Sequence, residues 1–190
     1  MRSAKSVPPS CPHLSILVPS LNDLTFWQRK RKDVSPIMSK CLEKIGDILV
    51  LEEIPTSEEH YNLRKGAGGL TLPPRPENSK ALLNSWYSIL LRDSSTIDNK
   101  AIGMGRVVGD GMFLYIVDMA ILSTYQRRGL GGKILEKLLI KVDKEAPRAR
   151  LALEGDPPGV PLYLKHGFLH QTFSKSMVRS TYFPAGPQPE

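Results

Sequence analysis

The chain changes from an irregular pattern to alternating strand and helix patterns at about residue 45. Apolar stretches typical of strands occur at 47–54, 86–93, 100–108, 113–122 and 150–154. Helical spacing, or helix start and stop signals, occur at 56–69, 76–85, 130–144 and 157–167. Residues 168–183 have the pattern of a closing hairpin. Because hairpins are mixed with helices, the order predicts an α/β (α+β) fold with a mixed sheet rather than a doubly wound one.

The helix predicted at 130–144 carries one apolar stripe and begins beside three glycines. The stripe consists of Leu130, Ile134, Leu135, Leu138, Leu139 and Val142. Glycines at 129, 131 and 132 weaken a helix unless something must approach its backbone. The free N–H groups of a first helical turn bind phosphate, and Arg127 and Arg128 add fork-shaped donors. The pattern therefore indicates a phosphate site or, as the alternative, a close helix–strand contact that only glycine permits.

Two common phosphate loops do not fit this segment. A Walker loop needs glycine at position 127 and serine or threonine at 134, where the chain has arginine and isoleucine. A dinucleotide-binding fingerprint needs its third glycine at 134 and fails for the same reason. The segment therefore belongs to another class of loop.

The positive charge of the chain lies mainly before the globular pattern. Of the formal net charge of +7, residues 1–40 contribute seven Lys and Arg against two acids. The basic run 29–32 in this Ser- and Pro-rich segment suits nuclear import, an acidic partner surface or a solvated extension. We expect an extension at 1–44, a domain at 45–183 and a disordered tail at 184–190. Because the domain itself is nearly neutral, we expect no nucleic-acid partner.

Cysteine, histidine and apolar content exclude several further classes. Cys11 and Cys41 are the only cysteines, which excludes a disulfide framework and favours a reducing compartment. The four histidines do not cluster with acids at ligand spacing, so we expect no metal. No apolar run approaches the roughly 18 residues of a membrane span, so we expect no membrane association. We expect a cytoplasmic location, with a nuclear one as the alternative.

A short motif and its two neighbours form a recognisable series. Residues 126–131 read Gln-Arg-Arg-Gly-Leu-Gly, which matches (Gln/Arg)-x-x-Gly-x-(Gly/Ala). The apolar strand at 113–122 precedes it, and residues 162–168 look like a late (Phe/Leu)-Tyr-x-x-x-Gly-Phe element. Together these features resemble the GNAT superfamily of N-acetyltransferases over about residues 47–178.

The resemblance implies acetyl-CoA as cosubstrate, without a metal, and a mostly antiparallel sheet flanked by helices and splayed at its central strands. It implies that the backbone of Met119, Ala120 and Ile121 holds the pantetheine arm, with one N–H facing the thioester oxygen. It assigns the pyrophosphate to Gln126, Arg127, Arg128, Gly129, Leu130, Gly131 and Gly132. Because the family often dimerises through late strands, a homodimer is also compatible with the resemblance.

Two residues are candidates for proton transfer. By resemblance, Tyr163 protonates the departing thiolate, the alternative being a core aromatic. Asp118 is the only charge in the strand 113–122, so it is either a general base or amine-orienting group, or a structural carboxylate. Tyr115 occupies the place where some protein-acetylating members carry a glutamate base. Strand alternation predicts that Tyr115 and Asp118 lie on opposite faces.

The acceptor site is less sharply defined by the sequence. Candidate substrate-binding residues are Tyr61, Arg64, Asp110, Tyr115 and Glu154, and the acids among them are alternatively solvated surface charges. We expect direct transfer of acetyl from acetyl-CoA to the primary amine of a small molecule, such as an arylalkylamine, polyamine or amino sugar. The alternatives are a protein lysine or N-terminal acetyltransferase and a non-catalytic acyl-CoA-binding module.

Overall fold

A computed structural model describes residues 39–68 and 76–172 of the chain. Its strands are β1 Lys40–Ile45, β2 Ile48–Glu52, β3 Tyr87–Asp93, β4 Lys100–Gly109, β5 Phe113–Ile121 and β6 Arg150–Leu153. Its helices are α1 Ser57–Gly66, α2 Pro76–Leu83, α3 Leu130–Glu145 and α4 Val160–Lys165. In these two ranges no helix has the length and apolar character needed to cross a membrane.

The described strands form one sheet in the order of the sequence, β1 to β6. Neighbouring strands from β1 to β5 are antiparallel, and β6 runs parallel to β5. This arrangement confirms the mixed, mostly antiparallel sheet. Strand β6 pairs with β5 from Phe113 to Ile116 only, although β5 continues to Ile121. Strand β6 ends at Leu153, opposite Ile116, so it pairs with the first half of β5 only.

The two faces of the sheet are covered by different helices. Helix α3 buries its predicted stripe, with Ile134, Leu135 and Leu138 fully buried, in the larger apolar core. On the opposite face, Leu63 of α1 packs in a smaller cluster with Leu90, Met104 and Ala120. The larger core fixes α3 on the sheet, and the smaller cluster sets α1 against the middle of β4 and the end of β5.

Helix α1 begins with a capping box. The side chain of Thr56 accepts the backbone N–H of Glu59 at 3.1 Å, and the Glu59 carboxylate accepts the N–H of Thr56 at 2.9 Å. Of the two predicted caps, Thr56 is therefore the one used. Glu59 also accepts from Arg92 of β3 at 2.9 Å, so the start of the helix is tied to the sheet.

The structure differs from the sequence pattern at both ends of the domain. Strand β1 begins at Lys40, so the sheet starts before the predicted residue 45. Its sequence, KCLEKI, carries three charges in six residues, which hides a strand but suits the edge of a sheet. Residues 168–172 form no regular element, and the rest of the predicted hairpin, from 173 to 183, lies outside the described residues, as does the tail at 184–190.

Candidate active site

A β-bulge interrupts β5 where it passes the middle of β4. Met104 pairs with Ala120 and Arg106 pairs with Val117, so Gly105 alone faces both Asp118 and Met119. Asp118 has a left-handed backbone with φ of 55°. Aspartate tolerates this conformation better than most residues. The bulge begins two residues after Ile116, the last residue of β5 that pairs with β6, so β5 bends close to the point where β6 ends.

The bulge corrects the predicted placement of two residues. Tyr115 pairs with Val108, and Val117 pairs with Arg106, so both lie on the face of the sheet that Arg106 shares. The Asp118 side chain contacts Arg106 and two residues of α1, which cover that same face. The prediction that Tyr115 and Asp118 lie on opposite faces is therefore wrong, because the extra residue in β5 breaks its alternation.

The carboxylate of Asp118 is held by three cationic or ionisable side chains. Arg106 donates from Nε and Nη2 to Oδ2 at 2.8 and 2.6 Å, and Arg64 of α1 donates to Oδ1. The Nε2 atom of His60 lies 3.1 Å from Oδ2 without the alignment of a hydrogen bond. Arg106, itself buried, also donates to Ser85 Oγ at 2.7 Å. We call these four residues, His60, Arg64, Arg106 and Asp118, the ion cluster.

The ion cluster bears on the two predicted roles of Asp118. Burial by itself would raise the pKa of Asp118, but its contact with His60 and the charge of Arg106 outweigh burial and hold this pKa well below the ordinary 3.8. A carboxylate so firmly ionised is a weak proton acceptor at neutral pH. The geometry therefore favours the structural alternative, with Asp118 joining α1 to the bulge.

Sequence reasoning missed two members of the ion cluster. Arg106 is an isolated charge in an apolar strand, which is the same signal that singled out Asp118. His60 stands four residues before Arg64, so the two share one face of a helix. Pairing the isolated charges of neighbouring strands could have found Arg106, whereas the partner face of α1 could not be deduced from spacing.

The predicted phosphate loop joins β5 to α3 through a 3₁₀ turn at Ser123–Tyr125. Its backbone is left-handed at Arg127, with φ of 63°, and at Gly129, with φ of 77°. The side chain of Gln126 is exposed and donates to the Ile121 carbonyl at 2.9 Å, so it supports the loop. Gly129, as the N-cap, brings no side chain to the first turn of α3. The N–H groups of that turn are therefore left without a side-chain partner.

The glycines of this loop are not explained by packing. A Cβ on Gly129 would meet nothing within 4 Å. On Gly131 and Gly132 it would come no closer than 3.5 and 3.8 Å to Leu162, which is ordinary contact. By contrast, a Cβ on Gly105 would lie 2.5 Å from Ile134 of α3. The close helix–strand contact thus occurs at Gly105. The left-handed backbone accounts for Gly129, and Gly131 and Gly132 remain available for a ligand.

Tyr163 of α4 is half-buried beside β6. Its ring stands edge-on to Phe168 at 6.1 Å, and glycines at 155 and 159 leave room for it. Burial, followed by the charge of Asp156, raises the pKa of Tyr163, so its hydroxyl stays protonated at neutral pH. A cavity of about 570 Å³ beside β6 is lined by Tyr163 and Leu153, among others, but by no residue of the loop.

The other predicted substrate residues are spread along the sheet. Tyr61 is half-buried on α1 under the ammonium of Lys65, which is 5.7 Å from the ring centre. Tyr115 is 49% exposed, and Glu154 follows Leu153, the last residue to pair with β5, so both lie near the point where the strands separate. Asp110 lies in the turn that precedes the first residue of β5, Phe113. Its Oδ1 accepts the N–H groups of Met112 and Phe113 at 2.8 and 2.9 Å, so it is a turn residue and the structure does not bring it to the others.

Replacing Asp118 by Asn should destabilise the protein by about 3 kcal/mol, because Arg106 would lose the anion that balances its burial. Asparagine also tolerates the left-handed backbone, which isolates the loss of charge. The pKa of Asp118 is lower in the folded state, so its contribution is complete above pH ~4 and is lost as the pH falls further. Urea unfolding at several pH values measures this. The difference in the free energy of unfolding between wild type and D118N should become smaller as the pH falls below about 4.

Asp110→Asn is the matched control for this prediction. It also removes a carboxylate whose pKa is lowered, here by the backbone N–H groups of Phe113 and Met112, but one that is exposed and pairs with no cation in the contacts above. We expect a clearly smaller loss of stability. Equal losses for D110N and D118N would show that the ion cluster contributes no more than an exposed turn.

Known structures resemble this chain over most of its described part. A protein from methicillin-resistant Staphylococcus aureus, described as a probable acetyltransferase, is 31% identical, with a TM-score of 0.63 over 70% of this chain and 98% of its own. A GNAT-family acetyltransferase from Streptococcus pneumoniae is 22% identical, with a TM-score of 0.56 over 70% and 97%. Glucosamine-6-phosphate N-acetyltransferase from Arabidopsis thaliana, 14% identical with a TM-score of 0.52 over 70% and 100%, shares the fold alone.

The sequence comparisons agree with the structural ones. A search of the curated proteins gave no match. Residues 90–180 match the family model for the acetyltransferase (GNAT) domain, and this range contains the bulge, the loop and Tyr163. The family match, and the 31% identity to the staphylococcal protein over 98% of its length, show that this chain belongs to the GNAT family of acetyltransferases.

Proposed function

We propose that this chain transfers acetyl from acetyl-CoA to the primary amine of a small molecule, directly within a ternary complex. The observation that supports this proposal best is the gap between β5 and β6 beyond Ile116. It exposes one edge of β5 just before the loop that leads into α3. An extended acyl carrier can lie along such an edge while its phosphates reach the start of the helix.

The residues of the loop fit the phosphate groups of CoA. Bare backbone at 129, 131 and 132 admits phosphate oxygens to the N–H groups of the first turn of α3. Arg127 and Arg128 supply charge at its mouth. Leu130 is buried in the core, so we assign it to the site through its backbone. Gln126 acts through its bond to Ile121.

Acetyl-CoA, when bound, supplies the thioester acyl group, and the chain supplies binding, orientation and protons. We assign the edge of β5 at Met119, Ala120 and Ile121 to the pantetheine arm, with a backbone N–H toward the thioester oxygen. Tyr163 provides the proton for the departing sulfur, because its burial keeps the hydroxyl protonated. Tyr163 lies on α4 beside β6, which places its hydroxyl on the side of β5 where we assign the CoA sulfur.

The acceptor amine approaches on the face that carries Tyr115. We assign Tyr61 and Tyr115 to its walls, and Glu154, at the point of strand separation, to orienting its nitrogen. Asp118 is a positioning residue, since Arg106 and Arg64 bind its carboxylate. Water takes the proton that the ammonium must lose before it attacks, and the second proton that the nitrogen loses as the amide forms. Tyr163 regains its own proton from solvent.

A small acceptor fits this face better than a polypeptide. Helix α1 is tied to the bulge by the ion pair of Arg64 with Asp118 and by the contact of His60 with the same carboxylate, which is adjacent to Met119. An anchored helix restricts the width of the approach, whereas an extended peptide needs an open groove.

We place the reaction in the cytoplasm, because the cysteine content suits a reducing compartment.

The acceptor class can be tested with a panel of amines. The purified protein is mixed with acetyl-CoA and arylalkylamines, polyamines or amino sugars, and the release of free thiol is followed. We expect turnover with at least one small amine at rates of about 1 s⁻¹ or more. Turnover only with a peptide lysine or N-terminus would contradict the small-molecule proposal. Binding of CoA without turnover on any amine or peptide would indicate a non-catalytic module.

Replacing Tyr163 by Phe should lower kcat by about a hundredfold, because the general acid is lost. The dissociation constant of CoA, measured by calorimetry, should not change. Tyr87→Phe is the matched control, since Tyr87 is also a buried phenol, and burial raises its pKa to about 12. A Y163F variant as active as Y87F would exclude Tyr163 as the acid.

Replacing Gly131 by Ala should have opposite effects on stability and on CoA affinity. Alanine favours a helix over glycine by roughly 1 kcal/mol, and the free protein has room for the methyl group. The same methyl group would obstruct phosphate, so we expect CoA to bind at least tenfold more weakly. Thermal unfolding and calorimetry measure the two quantities.

Gly105→Ala is the comparison for Gly131→Ala. At Gly105 the added methyl would lie 2.5 Å from Ile134 and 2.6 Å from Met119, so it should destabilise the free protein by about 1–3 kcal/mol. If G131A lowered stability as G105A does, packing rather than a ligand would explain the glycines of the loop.

A further inference from the structure

A series of contacts beside the phosphate loop has no role in the proposed reaction. The guanidinium of Arg128 lies 5.0 Å from the centre of the Tyr125 ring, and its Nη2 donates to the Thr124 carbonyl at 2.9 Å. The hydroxyl of Tyr125 in turn donates to Oδ2 of Asp93 at 2.7 Å. Asp93 is buried at the end of β3, 32 residues before Tyr125. The orientation of an exposed loop arginine is thus connected to the sheet.

The buried end of this series is itself fixed by several hydrogen bonds. The other carboxylate oxygen of Asp93 accepts from the N–H and the hydroxyl of Ser95 at 2.9 and 2.6 Å. The hydrogen bonds from Ser95, followed by that from Tyr125, lower the pKa of Asp93. The bond to Asp93 raises the pKa of Tyr125, which keeps its hydroxyl a donor. Asp93 is therefore an anion with three donors, and it holds the Tyr125 ring in one orientation.

We propose that Asp93 and Tyr125 are positioning residues that hold Arg128 ready to bind the pyrophosphate of CoA. An exposed arginine loses rotamer freedom when it binds, and one already restrained over an aromatic ring loses less. Arg127, which is exposed, makes no such ring contact with the described residues. This inference rests on the proposed phosphate role of the loop, and it makes Arg128 rather than Arg127 the stronger donor.

A double-mutant cycle on CoA binding tests the inference without an acceptor amine. Calorimetry with CoA is carried out on the wild type, Tyr125→Phe, Arg128→Ala and the double variant. We expect Y125F to raise the dissociation constant of CoA three- to tenfold and R128A to raise it at least tenfold. The double variant should bind no more weakly than R128A alone, because Tyr125 acts only through Arg128.

Two further variants separate positioning from a general loss of structure. Tyr87→Phe changes another tyrosine that lies under a cation. Here the cation is Lys141, 5.1 Å from the ring centre, and it belongs to the second half of α3, away from the loop. It should leave the affinity for CoA unchanged. Ser95→Ala removes one of the two donors to Oδ1 of Asp93 and leaves the backbone N–H and the loop in place, so it should weaken CoA binding about two- to threefold, again only when Arg128 is present.

The outcomes of the cycle are distinct. If the factors of Y125F and R128A multiply, Tyr125 acts on the loop as a whole and the inference is overturned. If R128A weakens binding and Y125F does not, the inference fails while the proposed function stands. If the wild type does not bind CoA, both fail together.

Discussion

The carboxylate of Asp118 is the constraint on which the rest of this site depends. A buried carboxylate is costly unless it is paired, and two arginines from different elements bind this one. Because Arg106 lies on β4 and Arg64 on α1, the same anion fixes the bulge of β5 and the helix above it. The edge of β5 proposed for acyl binding and the helix proposed to border the acceptor therefore share one anchor.

The second half of β5 is also fixed at its far end. Gln126 binds the Ile121 carbonyl, and Tyr125 is tied to Asp93 at the end of β3. The stretch Met119–Ile121 is thus held between the ion cluster on one side and the loop on the other. Precise placement of an acyl carrier needs such rigidity, because a displacement of about 1 Å can cost a hundredfold in rate.

The apolar pattern predicted most elements, because helices and strands bury periodic faces, as α3 does with Ile134 and Leu138. It failed where periodicity is absent or broken. Strand β1 was hidden by the charges of an edge strand, and the bulge at Asp118 reversed the alternation that had separated it from Tyr115. The ion cluster was beyond local reasoning, since Arg64 and Asp118 are 54 residues apart. The position of Asp118 in the sheet, beside Arg106 and Arg64, is what favours the structural alternative for this residue.

The glycines show how one residue type has two physical reasons in the same molecule. Gly105 is required by the fold, because the side chains of Ile134 and Met119 occupy the space of a Cβ. Gly131 and Gly132 stand in the first turn of α3 with that space open, so the fold alone would tolerate alanine there and the helix would gain stability. The proposed phosphate site gives a reason for the less stable residue at these positions, since glycine leaves the backbone accessible. The N–H groups of this turn lie at the positive end of a helix dipole, which suits an anion, and the loop before them continues from the part of β5 that β6 does not pair with.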